Sequence, residues 1–110
     1  MNALRNLGFS PIDTQVYALL AKDGPHELRE IALALNLQAR KVSRSLKDLQ
    51  SMRVVKATFK YPQEFVAVPF EEAIELLIEA KKEQARAIQQ AKDELLSSWR
   101  EVTKDNSEKS

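Results

Sequence analysis

From Glu71 to Val102 the chain contains neither Pro nor Gly and is dominated by Ala, Leu, Glu, Lys and Gln. That composition over roughly 32 residues reads as one helix about 48 Å long. Ile74, Lys81, Ile88, Leu95 and Val102 recur every seventh residue, with Ile78, Ala85 and Trp99 beside them and Leu77 and Ala91 on the adjoining edge. The pattern is a heptad-like seam, interrupted by Lys81, Gln84, Lys92 and Ser98. A body built from the preceding residues is too small to cover a stripe of that length. Each Ile, Leu or Val side chain left wet forgoes about 1.5–3 kcal/mol. The seam is therefore expected to be a dimer interface made by Ile74, Leu77, Ile78, Ala85, Ile88, Leu95, Trp99 and Val102. Packing against the protein's own N-terminal helix, or in a groove on another protein, is the alternative. Lys104 to Ser110 is polar and is expected to fray.

A second constraint is the placement of charge. The net charge is only +1. Between Gln38 and Lys60, however, stand Arg40, Lys41, Arg44, Lys47, Arg53, Lys56 and Lys60 against Asp48 alone, a net of +6 that leaves −5 for the remainder. A near-neutral chain with one basic segment suits a polyanionic partner that docks there. With no Cys, neither a disulfide framework nor a thiolate metal site is available. The opening MNALRNLGFS lacks an apolar core long enough for a signal peptide, and no run approaches a membrane span. The expected location is cytoplasmic, at the nucleoid, with no membrane partner.

Taken in order, Asn2 to Leu7 can form a short helix ended by Gly8. Ser10-Pro11-Ile12-Asp13 is a helix start: a hydroxyl N-cap, Pro at the first helical position and an anion near the positive end. Ile12, Val16, Leu19 and Leu20 make its buried stripe, and Lys22-Asp23-Gly24-Pro25 stops it. Glu27 to Leu35 is a second core helix with Leu28, Ile31, Ala32 and Leu35 inward. Asn36 then supplies a residue that tolerates the left-handed turn.

The helix that follows, Gln38 to Met52, carries Val42, Leu46 and Leu49 at one helical spacing and Arg40, Arg44 and Lys47 at the same spacing on a different face. Lys41 lies beside the bases, and Gln38, Ser43 and Ser45 interleave with them. These are side chains that reach phosphates and base edges. A solvated basic face is the competing reading. Together with Glu27–Leu35 the segment has helix-turn-helix spacing, an αα-hairpin in a helical domain being the plainer alternative. Arg53 to Phe59 and Glu64 to Val68 then alternate as two short strands around Lys60-Tyr61-Pro62-Gln63. A hairpin directly after a helix-turn-helix is a wing. Lys56, Lys60 and Tyr61 are its candidate backbone contacts, and Phe59 and Phe65 suit a hairpin that covers the core.

The ordered set Leu7-Gly8-Phe9-Ser10, Val16-Tyr17-Ala18-Leu19-Leu20, Asp23-Gly24-Pro25, Glu30-Ile31-Ala32, Lys41-Val42, Leu46, Leu49 and Val55 resembles the TrmB-like family of archaeal winged-helix transcriptional regulators. Pro62, Phe65-Val66-Ala67-Val68-Pro69 and Glu72-Ala73 are similar to that family's Pro…Tyr-x-Ala-Val-Pro, with Phe for Tyr. The resemblance covers about residues 3–80. It implies a DNA-binding module acting as a dimer. Larger members carry a C-terminal sugar-binding domain for which 110 residues leave no room, so a sugar response is not carried over and no small-molecule effector is inferable. The wing tip, Phe59-Lys60-Tyr61-Pro62, departs from the Gly-Arg-rich tip of many members, and Arg53 stands where Gly is common.

No catalytic constellation is present: His26 is the single His, and there is no Gly-rich phosphate loop or HExxH. The expected protein is not an enzyme and uses no cofactor or metal. Its fold is mainly α with a small β-hairpin wing. Residues 1–69 form a winged helix-turn-helix, 70–103 a long C-terminal dimerisation helix and 104–110 a tail. The expected function is a homodimeric, sequence-specific regulator of double-stranded DNA, read by Gln38, Arg40, Lys41, Ser43, Arg44 and Lys47 in the major groove and held by Lys56, Lys60 and Tyr61. Two recognition helices would lie about 34–36 Å, or a multiple, apart on a near-palindromic site. The alternative is a winged-helix protein-interaction module in a transcription or chromatin assembly.

Overall fold

The computed structural model describes residues 2–109, with side chains from Ala3 to Lys104. Its elements run α1 (Asn2–Asn6), α2 (Pro11–Asp23), α3 (Leu28–Leu35), α4 (Ala39–Ser51), β1 (Val55–Ala57), β2 (Phe65–Ala67) and α5 (Phe70–Lys109). The helix boundaries follow local chemistry. Ser10 is extended, and its hydroxyl accepts the Asp13 N–H at 3.0 Å while the Asp13 carboxylate accepts the Ser10 N–H at 3.0 Å. The two bonds together are a capping box, which satisfies two orphan donors at once. Gly24, at φ +90°, ends α2 and donates its N–H to the Leu20 carbonyl. Between α3 and α4, Asn36 takes the left-handed conformation, φ 53° and ψ 48°, as its position in the turn requires.

The chain divides into two compact units, Met1–Glu79 and Ala80–Ser110. In the first, α2, α3 and α4 pack around Val16, Leu20, Ile31, Val42, Leu46 and Leu49, with Val54 and Phe65 closing the core from the hairpin side. The antiparallel pair aligns Val55 with Ala67, Lys56 with Val66 and Ala57 with Phe65. Both strands are shorter than their alternating sequence suggests. Beyond Ala57 the hairpin is held by two bonds, Thr58 N–H to the Glu64 carbonyl at 2.8 Å and Glu64 N–H to the Thr58 hydroxyl at 3.0 Å. A further bridge joins His26 to Phe65 through both backbone pairs, at 3.2 and 2.8 Å. His26 is therefore a one-residue strand on the wing's inner edge, and its Nδ1 lies 2.8 Å from the Gly24 carbonyl.

Tyr17 ties α2 to the far end of the wing. Its hydroxyl donates to the Val68 carbonyl at 2.5 Å, and its ring meets Phe9 edge-on at 5.8 Å. Burial raises its pKa above the ordinary value near 10.

Four sequence expectations change here. Leu77 is 2 % exposed and belongs to the body's own core with Ala73, while Ile74 packs partly against it. Leu77 is therefore buried within the chain itself, and Ile74 partly so. The start of α5 thus belongs to the winged-helix body. Ser45 turns inward rather than joining the basic face, because its position falls within the buried arc of α4. Phe59 does not cover the core: it is fully exposed, as is Tyr61. Finally, the helix continues through the polar residues after Lys104 to Lys109, and Ser110 lies outside the described residues.

Candidate nucleic-acid interface

At about 100° per residue, Val42, Ser45, Leu46 and Leu49 occupy one side of α4 and Arg40, Arg44 and Lys47 the side directly opposite. Fixing the first set in the core therefore fixes the direction of the second. Arg40, Lys41, Arg44 and Lys47 are all exposed. Among the described residues the one salt bridge joins Arg86 to Glu83, so no cation of α4 or the wing is neutralised by a paired carboxylate. Ser43 sits half-buried on one flank of the basic side and Lys41 on the other, beside Asp48. Gln38 is the N-cap of α4, exposed, and its side chain makes no capping bond. It stands at the end of the helix from which a groove-bound helix reads base edges.

The orientation of α4 has a polar lock that the sequence reading did not find. Ser45 and Asp13 are 3 % exposed each, and the Ser45 hydroxyl donates to Asp13 Oδ1 at 2.6 Å. The same carboxylate caps α2 through its other oxygen. One buried anion thus serves two helices. No local signal marks the pair, which lies 32 residues apart in sequence.

On the hairpin, Lys56 is exposed on β1, and Lys60 and Tyr61 stand exposed in the loop between Thr58 and Glu64. The approach from α4 to β1 passes through Arg53 at φ 67°, a left-handed position where a side chain is strained and Gly is not. Here an exposed cation takes the position.

The expected interface side chains beyond the first unit are uncovered. Ile88, Leu95, Trp99 and Val102 are exposed by 63, 69, 63 and 51 %, and Ala85 is exposed too. Ile88, Ala91, Lys92, Leu95, Leu96 and Trp99 line a shallow, almost wholly apolar depression along this stretch of α5. Ile78, in the first unit, is 42 % exposed. Among the described residues no helix is long and apolar enough to cross a membrane.

Comparison with known proteins agrees with this architecture. The sequence model of the family described as sugar-specific transcriptional regulator TrmB matches residues 4–71. No curated protein matches the sequence significantly. Among solved structures, the transcriptional regulator Tm0710 from Thermotoga maritima superposes with a TM-score of 0.59 at 20 % identity, over 93 % of this chain and 79 % of that one. YusO from Bacillus subtilis gives 0.59 at 19 % identity, over 80 % and 67 %. MepR of S. aureus, solved as a complex with DNA, gives 0.56 at 17 % identity, over 86 % and 84 %. At such identities the structures establish a shared winged-helix fold. The family match covers more than half of the sequence and is to regulators of transcription, not to enzymes; the chain belongs to the TrmB family of transcriptional regulators.

Proposed function

We propose that this protein is a sequence-specific, double-stranded-DNA-binding regulator that acts as a homodimer in the cytoplasm, at the nucleoid. The observation that carries the reading is the unpaired basic side of α4, set opposite a fully buried stripe and held by the Asp13–Ser45 bond. Arg40, Arg44 and Lys47 enter or flank the major groove. Gln38 and Ser43 are candidate base readers, Lys41 meets phosphate, and Lys56, Lys60 and Tyr61 hold the backbone from the wing. Arginine pairs bidentately with guanine or phosphate, so each arginine that reads a base contributes about 1–3 kcal/mol.

A palindromic site needs two recognition helices. The exposed side chains Ala85, Ile88, Leu95, Trp99 and Val102 are the seam through which two copies pair as a coiled coil, with Ile78 at its edge. In this division residues 1–69 read DNA and 70–103 join the copies, the first turns of α5 also completing the body. No effector or cofactor is part of the proposal. Anisotropy titration against a duplex selected from a random-sequence pool tests it. The Arg40→Ala/Arg44→Ala variant is expected to lose at least tenfold in affinity; binding equal to wild type overturns the assignment.

A further inference from the structure

The tip of the wing is chemically unlike the rest of the basic segment. Phe59 and Tyr61 are 107 % and 98 % exposed, as bare as side chains in a folded chain can be. Lys60 stands between them, and Pro62 and Gln63 complete an exposed five-residue loop. The loop is not loosely attached. Thr58 and Glu64 close its base with the two bonds already described, and the strands below are pinned through His26 and the buried Phe65. Two large rings are thus presented to water at the end of a braced arm.

Phosphate contact does not account for them. Lys60 and the Tyr61 hydroxyl can serve the backbone, but neither contact uses the faces of the rings, the Phe59 ring offers no hydrogen-bond donor, and the tip carries no arginine of the kind that reads a narrow minor groove. What a bare aromatic ring recognises on a nucleic acid is the face of a base. In duplex DNA those faces become available where a step is partly unstacked, and apolar side chains inserted from the minor groove open such steps and bend the helix. The bases at Arg53, Lys56 and Lys60 supply the complementary charge for the approach; the nearby acid, Glu64, is half-buried at the loop's base.

Resting on the DNA-binding reading above, we propose that Phe59 and Tyr61 form an aromatic wedge that enters a base step beside each half-site. The wedge unstacks the step and selects for flexible pyrimidine–purine steps. Specificity at that position then comes from deformability rather than from hydrogen bonds to base edges. Phe59 is the residue this adds to the interface, and it supplies the apolar surface that Lys60 and Tyr61 alone lack.

The test uses the full chain and a duplex selected by the wild-type protein from a random-sequence pool. 2-Aminopurine is placed in turn at each position, and bending is read from circularly permuted fragments. Wild type is expected to raise 2-aminopurine fluorescence at one step per half-site and to bend the duplex. Phe59→Ala/Tyr61→Ala is expected to keep its circular dichroism, lose the fluorescence rise and most of the bend, and bind about 5- to 20-fold more weakly. Phe59→Trp/Tyr61→Trp is expected to retain both signals. An alanine variant with unchanged affinity, bend and fluorescence overturns the wedge while leaving the α4 interface standing. A wild-type protein that binds no duplex overturns both. Loss of binding to phosphatidylserine vesicles, with DNA binding and bending intact, would assign the tip to a lipid surface and also overturn the wedge.

Discussion

Replacing Asp13 with alanine should be among the most damaging single changes on the DNA-binding body, although Asp13 touches no proposed ligand contact. Its carboxylate receives the Ser10 N–H at 3.0 Å and the Ser45 hydroxyl at 2.6 Å in a site 3 % exposed. Alanine removes half of the capping box, worth about 0.5–2 kcal/mol. It also strands a buried hydroxyl on α4, at about 1–3 kcal/mol. The two effects together predict a loss of about 3 kcal/mol, a large fraction of a small domain's stability. Asn at the same position can still accept from Ser10 and donate to Ser45, and should cost only about 1 kcal/mol. The decisive comparison adds Ser45→Ala, which removes the stranded hydroxyl. Urea unfolding at one fixed protein concentration, read as a four-member cycle, should give a coupling of about 1.5–3 kcal/mol between the two positions. Additive effects, or an Asp13→Ala loss below about 0.5 kcal/mol, would refute the claim that this bond orients α4.

Tyr17→Phe leaves the Val68 carbonyl without its donor and should cost about 1–2 kcal/mol at neutral pH. Because burial raises the folded-state pKa of Tyr17, its stabilising share is fully present below the unfolded value near 10 and is lost as pH rises above it. Wild type should therefore lose stability more steeply than Tyr17→Phe above pH about 10, in urea melts across that range. At the seam, Leu95→Asp/Trp99→Asp should convert the dimer to monomer in sedimentation while leaving the melting of the body, which does not contain these residues, nearly unchanged. A variant that sediments as wild type would remove α5 as the dimer interface.

Much of the fold is legible in residue types with a single local use. Ser10-Pro11-Ile12-Asp13 sets a helix start, Asn36 accepts a left-handed turn, and Val42, Leu46 and Leu49 commit one side of α4 to the core. The basic side of α4 is legible for the same reason, since it lies opposite that stripe. What sequence reading misses depends on partners distant in the chain. Ser45 is as polar as Ser43 but falls within the buried arc of α4, where the distant Asp13 accepts its hydroxyl. His26 pairs as a single residue, too short to alternate. Leu77 continues the seam's spacing, yet the body's own core claims it first. Phe59 shows the one-way nature of hydrophobicity: apolar residues can go inside, but nothing obliges a particular one to do so.

The central claim is that the cations of α4 replace counterions along a DNA backbone, and the salt dependence of affinity measures this most directly. Log K against log salt should fall with a slope of about −0.9 for each phosphate neutralised. For the dimer, Arg40→Ala/Arg44→Ala should flatten that slope by up to about 3.6, the contribution of four lost contacts. An unchanged slope in the variant would place the polyanion elsewhere on the molecule, and a wild-type slope near zero would contradict the account.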